Sequence, residues 1–462
     1  MNAPALSIHA YKENFDFRDS VLSDAQAEQA EQLNENFYVP LEQHRGAYTR
    51  DKILAHYHLD ETGLQHPDTR LKPFGHVLLG GHVGSGKSTE LRELAKLMKQ
   101  SYSVHRIELT RVLDINNLRF SDLVISLAEQ LAVFAHTNQL DLKPTLVEPV
   151  LEFFQSETIT KNVFRESELE VKAGVSVQTG IPLLLTLLGT ITAKIRGGAS
   201  YKSELRREVQ NGFTVLANHF NALIAHTNDV LRGLGKGPLL FMIDGSDRLN
   251  KEDSAAFFNT EVNQLLHIQA NLLICAPISV LLEVNETAQR FELRQRLPMI
   301  KLFDREEVEQ PAAVQALVDM VLKRLPLAYF DGIETVQHLV RHCGGHPRDL
   351  LRLVNECFTY IDKNTQKITL ESANHAITNI ASEYERNVTK TDWVDLVAID
   401  TSMGEDKDRT PERLRLLYSL VLLEYNSYWW RSHPLVRTIP SYKKAHRAYL
   451  ASVNAAPQSS NV

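Results

Sequence analysis

The sequence predicts an α/β protein built around a doubly wound parallel β-sheet. Residues 76–79 form a short apolar run that enters a glycine-rich loop, and an amphipathic helical pattern follows the loop. A second apolar run, residues 239–244, ends in a carboxylate, which is typical of a strand buried on both faces. Strand and helix patterns alternate around these two runs, as they do in parallel sheets covered by helices.

The glycine-rich loop, residues 81–88, has the complete pattern G-x-x-x-x-G-K-[ST]. Glycines let successive backbone N–H groups point at a phosphate, and the N-terminus of the following helix adds partial positive charge. Lys87 would then reach the β- and γ-phosphates of ATP, and Ser88 would contact Mg²⁺. The predicted nucleotide-binding residues are Gly81, Gly84, Ser85, Gly86, Lys87, Ser88 and Thr89.

Asp244 ends the second apolar run, at the end of a strand where ligands of parallel sheets bind. We therefore expect Asp244 to lie beside Ser88 and to complete a magnesium site, so ATP and Mg²⁺ are the predicted cofactors. The alternative is an aspartate that only starts a turn. Elsewhere in the core, residues 103–109, 271–277 and 298–303 predict strands.

Two helices of the core are also predicted from the pattern. Ser121 is expected to cap a helix whose apolar residues recur at helical spacing. Residues 201–235 have the pattern of a single long helix that ends in glycines.

The composition is that of a globular protein without an overall basic surface. The chain has 462 residues, of which 43% are hydrophobic and 23% charged, and its formal net charge is −7. This length predicts two to four domains. Three widely spaced cysteines predict free, buried thiols. Neither a secretory signal nor an apolar run of about 20 residues is found, so we expect no transmembrane helix and a cytoplasmic location.

The patterns along the chain predict four regions. Residues 1–60 form an N-terminal arm, which either packs on the protein or folds back over the adenine. Residues 61–304 form the phosphate-loop core, residues 305–388 a helical lid, and residues 389–462 a final domain.

An insertion interrupts the core at about residues 140–198. Residues 168–177 show short-period apolar spacing and residues 181–191 are almost wholly apolar, with glycines between and after them. We predict two strands that form a hairpin. The hairpin would pack on its own domain, or else bury its apolar surface in a partner subunit or a bilayer.

The residues after Asp244 indicate the class of ATPase. Gly245 occupies the position where ring-forming ATPases carry a glutamate, and residues 244–247 have the sequence D-G-S-D. Together with Gly-Gly-His-Pro-Arg at 344–348, this resembles the AAA+ ATPases and the signal-transducing (STAND) ATPases of the origin-recognition type. The resemblance covers about residues 37–449 and implies a P-loop ATPase core, an α-helical lid and a C-terminal winged-helix-like domain.

The resemblance also implies roles for single residues. Asp247 would position the attacking water, with a helix cap or an ion pair as the alternative. Arg294 and Arg296, expected on a polar helix, would act as arginine fingers in a neighbouring site, or would be ordinary solvated groups. Pro347 would shape the adenine pocket and Arg348 would sense the γ-phosphate, or the two would only begin a helix.

The last region combines a helix with an aromatic hairpin. Residues 422–430 carry Asn-Ser between two apolar aromatic runs, which predicts a tight turn. Residues 411–450 contain seven Lys or Arg and two acidic residues, a local excess that permits a DNA contact. The other interpretation is a packing module that helps to clamp the nucleotide.

These observations lead to one expected function and two alternatives. We expect a slow ATPase that acts as a molecular switch, coupling ATP or ADP to homo-oligomerisation or to a partner effector protein, as in a bacterial defence or stress system. One alternative is an ATP-dependent DNA-binding protein of the initiator or loader type. The other is a nucleotide-stabilised scaffold with negligible hydrolysis.

Overall fold

The computed structural model describes residues 7–15, 36–65, 74–113, 115, 117–155, 180–197, 199–282, 290–362, 364–404, 408–426 and 429–455. The described residues form two compact units. The sheet unit comprises the described parts of 50–80 and 87–296, and the helical unit those of 1–49, 81–86 and 297–462.

Five strands form the sheet: β1 (His76–Gly81), β2 (Ser103–Glu108), β3 (Leu239–Asp244), β4 (Asn271–Pro277) and β5 (Leu293–Leu297). Their order across the sheet is β2-β3-β4-β1-β5. β3 runs parallel to both β2 and β4. Every residue of β1, β3 and β4 is buried, as the apolar runs require. The predicted α/β P-loop core with a parallel sheet is confirmed.

Helices connect the strands and cover the sheet. In chain order they are α1 (Arg50–His56), α2 (Lys87–Met98), α3 (Leu109–Val112), α4 (Phe120–Thr137), α5 (Pro144–Gln155), α6 (Ile181–Gly197), α7 (Ala199–Asn211), α8 (Phe213–Gly233), α9 (Lys251–Ala255), α10 (Val262–His267) and α11 (Ile278–Leu282). In α2, Leu91, Leu94 and Met98 are fully buried, which confirms the core-facing side predicted for this helix.

The prediction of a hairpin at 181–191 is wrong, because these residues belong to helix α6. Leu184, Leu188 and Ile191 are fully buried at spacings of four and three residues, which places them on one face of a helix. That face packs against α4. A nearly continuous apolar run hides its period, so sequence alone does not separate strand from helix here. The other predicted strand, 168–177, lies outside the described residues.

Two predicted helix features also differ from the structure. Ser121 lies inside α4 rather than at its cap, because the helix is capped at Arg119. The Asp122 carboxylate accepts the Arg119 N–H at 3.1 Å and so satisfies the backbone at the start of the helix. The single helix predicted for 201–235 is broken into α7 and α8 at Gly212, where glycine weakens the helix interior.

The helical unit contains mainly short helices and one hairpin. They are α12 (Pro311–Leu322), α13 (Ile333–His342), α14 (Pro347–Cys357), α15 (Leu370–Glu385), α16 (Asp392–Thr401), α17 (Pro411–Tyr418), β6 (Leu422–Asn426), β7 (Trp429–Ser432), α18 (Pro434–Thr438) and α19 (Pro440–Ala455). β6 and β7 pair antiparallel, so the predicted aromatic hairpin forms.

The first described residues of the chain pack within the helical unit. Residues Ile8–Phe15 form a 3₁₀ helix, and the Asn355 side-chain amide donates to the Phe15 carbonyl at 3.2 Å. The rings of Phe15 and Phe358 lie 5.9 Å apart. These contacts hold the start of the described chain against α14 and the turn after it.

Two further expectations concern the cysteines and membrane-spanning helices. Cys275, Cys343 and Cys357 are free and buried, as predicted. Within the described ranges, no helix is both long enough and apolar enough to cross a bilayer.

Candidate functional site

The glycine-rich loop leaves β1 and runs directly into α2. Gly84 and Gly86 have φ angles of 83° and 104°, a left-handed conformation that glycine adopts without strain. Lys87 and Ser88 are the first residues of α2, so the loop ends at a helix N-terminus. This strand, loop and helix arrangement is the one that cradles phosphates with backbone N–H groups.

Two acidic side chains, one at the end of β3 and one in the turn after it, contact the first two residues of α2. Lys87 Nζ lies 2.7 Å from Asp247 Oδ2, and both side chains are buried. Ser88 Oγ donates to Asp244 Oδ1 at 3.0 Å. The partners in each pair lie at least 156 positions apart in the sequence, and the fold of the sheet unit brings them into contact. The four side chains place a hydroxyl, an ammonium group and two carboxylates next to one another.

The charges at this place favour an added cation. The pKa of Asp244 is raised, first because burial disfavours its ionised form and then because Asp247 carries a like charge nearby. A hydroxyl and a carboxylate oxygen 3.0 Å apart are ligands of the kind that Mg²⁺ prefers. The residues present therefore fit the predicted magnesium ion, which would be held by Ser88 and Asp244.

A tight turn positions Asp247. Gly245 follows β3 with φ 91°, and its N–H donates to Asp244 Oδ1 at 2.8 Å. Residues Ser246–Arg248 then form a 3₁₀ turn, in which Ser246 Oγ donates to the Cys275 carbonyl on β4 at 2.5 Å. This turn places Asp247 beside Lys87 instead of directly after the strand.

The remaining loop residues differ in their surroundings. Ser85 is fully buried, and its carbonyl accepts a hydrogen bond from Arg45 Nη2 at 2.6 Å. Thr89 Oγ1 accepts from Arg92 Nη2 at 3.1 Å, one turn along α2. Gly81 is the last residue of β1.

Arg45 was not predicted to be part of the site. It is 4% exposed, and its second guanidinium nitrogen donates to the Pro298 carbonyl at 2.6 Å. A buried guanidinium thus holds the backbone of the loop from the N-terminal arm. No local motif surrounds Arg45, so only the folded chain reveals this contact.

The start of α14 contacts the glycine-rich loop. His346 Nε2 donates to the Val83 carbonyl at 2.8 Å. A Cβ at Gly84 would lie 2.7 Å from His346 Nε2 and 2.8 Å from Arg348 Cβ, so only glycine fits there. Pro347 is the first residue of α14, as the sequence predicts. His346 was missed as a contact residue, although it lies inside the Gly-Gly-His-Pro-Arg segment.

The hairpin contacts the same loop. The Glu424 N–H on β6 donates to His82 Nε2 at 3.0 Å, and both residues are 1% exposed or less. The Met299 N–H donates to the Glu424 carbonyl at 2.9 Å. Within the helical unit, hydrogen bonds therefore join the glycine-rich loop to the start of α14 and to the hairpin.

A buried polar network surrounds Asp349 on α14. Its carboxylate accepts from His433 Nε2 at 3.0 Å, from Arg352 Nη1 at 2.8 Å and from the Tyr384 hydroxyl. His346 Nδ1 lies 2.9 Å from Asp349 Oδ2. Burial raises the pKa of Asp349, but His346 and His433 outweigh this effect and hold the pKa well below its usual range.

His346, Asp349 and His433 also have the side-chain types of a metal site. However, the Leu435 N–H donates to His433 Nδ1 at 3.1 Å. His433 Nε2 therefore carries the ring proton and donates it to Asp349, so it has no lone pair for a metal ion. The cluster is a hydrogen-bonded network, and we assign no metal to it.

Arg294 and Arg296 do not lie on a helix, as was predicted, but on strand β5. The strand predicted at 298–303 is also wrong, because β5 covers Leu293–Leu297 instead. Arg294 is exposed while Gln295 and Leu297 are buried, the alternation of a strand with one face inward. Arg296 Nη2 lies 3.5 Å from the Leu281 carbonyl.

Comparisons with known proteins find little. No protein family matches the chain, and no curated protein matches it. Among solved structures, the chain is similar to the RuvB Holliday junction branch migration motor of Thermotoga maritima, with 13% identity, a TM-score of 0.30 and coverage of 79% of this chain and 86% of that chain. A RuvB point mutant gives 14% identity, a TM-score of 0.28 and the same coverage. These scores are too low to transfer any residue role.

Proposed function

We propose that this protein binds and hydrolyses ATP as a molecular switch of the AAA+/STAND type. The observation that carries the proposal is the group formed by Lys87, Ser88, Asp244 and Asp247 directly after a phosphate-binding loop. An ordinary glycine turn requires neither the buried ammonium group nor the paired carboxylates. Phosphoryl transfer to water needs positioning and charge neutralisation, and these residue types supply both.

Each residue has a separate task in this proposal. Lys87 leaves Asp247 and binds the β- and γ-phosphate oxygens, while the loop N–H groups hold the β-phosphate. Magnesium, when bound at Ser88 and Asp244, neutralises charge on the phosphates. Asp247, released from Lys87, orients the attacking water. Arg348 and Pro347, at the start of α14, sense the γ-phosphate and shape the adenine pocket.

Phosphate release in magnesium buffer tests the proposal. Asp244→Asn keeps the size of the side chain and an oxygen for Ser88 but removes the charge, so magnesium-dependent turnover should fall at least about 100-fold. Glu252→Gln, an exposed acid-to-amide change on α9, is the matched control and should keep wild-type turnover. Equal turnover in the wild type and Asp244→Asn would contradict the proposed role of Asp244 in holding magnesium.

The structure gives less support to DNA binding through 411–450 than the charge count did. Arg413 and Arg415 pair with Asp395 and Asp392, which lie outside that segment. Arg431 and Arg437 pair with Glu307, and Arg437 also pairs with Asp400. Four of the seven basic side chains are thus neutralised locally, so we do not propose DNA as the partner.

A further inference from the structure

The helical unit contains a cavity of about 190 Å³, partly open to solvent, that the proposed phosphate chemistry does not use. Aromatic and aliphatic side chains form most of its wall: Leu302, Phe303, Tyr425, Trp429 and Pro434. An engineered apolar cavity of about 150 Å³ holds benzene, whereas pockets for larger ligands reach about 300 Å³ or more. The cavity therefore has room for a molecule with a single ring.

One side of the cavity is polar and not fully satisfied. Ser432 is 1% exposed and lines the cavity, yet its hydroxyl has no hydrogen-bond partner among the described residues. Arg437 also lines the cavity, and its buried Nε has no partner within the same part of the chain. Buried polar groups of native proteins are almost always hydrogen-bonded. The Ser432 hydroxyl and Arg437 Nε can both donate a hydrogen bond, so an acceptor oxygen in the cavity would satisfy them.

Glu307 now occupies the cationic side of the cavity. Its Oε1 accepts from Arg437 Nη1 at 3.1 Å and from Arg431 Nη2. Its side chain is nevertheless 62% exposed, and its φ of 65° is unfavourable for a residue with a side chain. One exposed carboxylate oxygen thus serves two guanidinium groups, so an incoming carboxylate can replace it.

The other acids near the cavity are committed to their own partners. Arg341 also lines the cavity, and it makes a bidentate pair with Glu309 at 2.6 and 3.1 Å. Asp400 Oδ1 forms an ion pair with Arg437 Nη2 at 3.0 Å. Glu307 is therefore the acid among the lining residues whose removal leaves guanidinium donors facing the cavity.

We propose that this cavity binds a small carboxylate attached to a single ring. The ring lies against Trp429 and Tyr425. Its carboxylate replaces Glu307 between Arg431 and Arg437, and an oxygen accepts from Ser432 Oγ. Planar bidentate recognition of a carboxylate by guanidinium groups is the strongest hydrogen bonding available there.

Calorimetry on the full chain without nucleotide tests the proposal, with benzoate as the probe. Benzoate should bind at one site and about tenfold or more tighter than benzamide, which lacks the charge, or acetate, which lacks the ring. Glu307→Gln should tighten benzoate binding several-fold, because it removes the competing carboxylate. Glu306→Gln, an exposed neighbour, should leave the affinity unchanged.

The gain expected for Glu307→Gln separates the proposal from a folding defect, since a misfolded variant cannot bind more tightly. Arg431→Gln should abolish benzoate binding. The proposal is overturned if neither the wild type nor Glu307→Gln binds benzoate, if benzamide binds equally well, or if Glu307→Gln weakens binding. None of these results depends on ATP hydrolysis, so the proposed function is tested separately.

Discussion

In this structure, Lys87 forms an ion pair with Asp247. The two groups lie 2.7 Å apart and both are buried, so each neutralises the other. A triphosphate must compete with Asp247 for the ammonium group. This competition ties the binding of nucleotide to the release of the acid that is proposed to orient water.

Asp247→Asn tests that link. The variant should lower turnover by about 100-fold, because an amide cannot act as a base, while ATP affinity should stay the same or increase because Lys87 loses a competing charge. Turnover and binding are measured separately, by phosphate release and by calorimetry. Asp229→Asn, which removes an exposed acid paired with Arg232, is the control. Unchanged turnover in Asp247→Asn would remove the role proposed for Asp247, whereas negligible turnover in the wild type would favour the scaffold.

His105 on β2 predicts a pH dependence of stability. Burial lowers its pKa to about 4, and its ring lies 4.4 Å from Phe134 and 5.6 Å from Phe241. The unfolded chain takes up the proton near pH 6.5, whereas the folded chain resists protonation until about pH 4. The unfolded state therefore binds more protons in this window, so stability falls as the pH drops below about 6.5.

His105→Phe should remove this contribution. Urea unfolding at pH 7.5 and 5.0 should show a loss of stability on acidification that is smaller by about 2 kcal/mol in the variant than in the wild type. His136→Phe, at an exposed position of α4, should retain the wild-type dependence. An identical loss in the wild type and His105→Phe would show that His105 does not resist protonation.

Site residues in a motif or at the end of a predicted strand were predictable, whereas the contacts that distant parts of the chain make with the glycine-rich loop were not. Asp244 was expected beside Ser88 because strand ends of a parallel sheet converge, and the two do make a hydrogen bond. By contrast, Arg45 and His82 depend on partners 40 and 342 positions away. No local spacing encodes such contacts, because they arise only when the tertiary fold is complete.

At the scale of elements, the fully buried strands β3 and β4 were predicted correctly, whereas the strand β5 and the apolar helix α6 were not. β3 and β4 have the predicted limits, since flanking polar residues and glycines mark the ends of a short apolar run. α6 was mistaken for a strand because its exposed positions are also apolar or small. Buried Leu184 and Leu188 show the helical face only once the packing against α4 is known.

The backbone conformation of the turn after β3 disfavours a glutamate at position 245. Gly245 has φ 91°, a conformation that costs a residue with a side chain about 1–2 kcal/mol. Gly245→Glu should therefore destabilise the protein by that amount in urea unfolding and should not raise turnover. Gly245→Ala, which adds strain without charge, should show the same loss of stability. A more active Gly245→Glu would show that the proposed site tolerates a glutamate directly after Asp244.

For the whole molecule, the proposed switch requires that assembly or partner affinity depend on the nucleotide. Light scattering on the protein with ATP, with ADP and without nucleotide should show a larger species with ATP. Asp244→Asn, which weakens the magnesium site, should shift this transition to higher ATP concentration. One mass under all three conditions would exclude homo-oligomerisation as the output and would leave a partner protein.

The central claim is that residues 81–88 bind a triphosphate through Lys87. Calorimetry with ATP in magnesium buffer tests it most directly, using the wild type, Lys87→Ala and the exposed control Lys96→Ala on the same helix. We predict one saturable site in the wild type and in Lys96→Ala, and binding weaker by about 100-fold or more in folded Lys87→Ala. Equal affinity in all three proteins, or no binding to the wild type, would contradict the account.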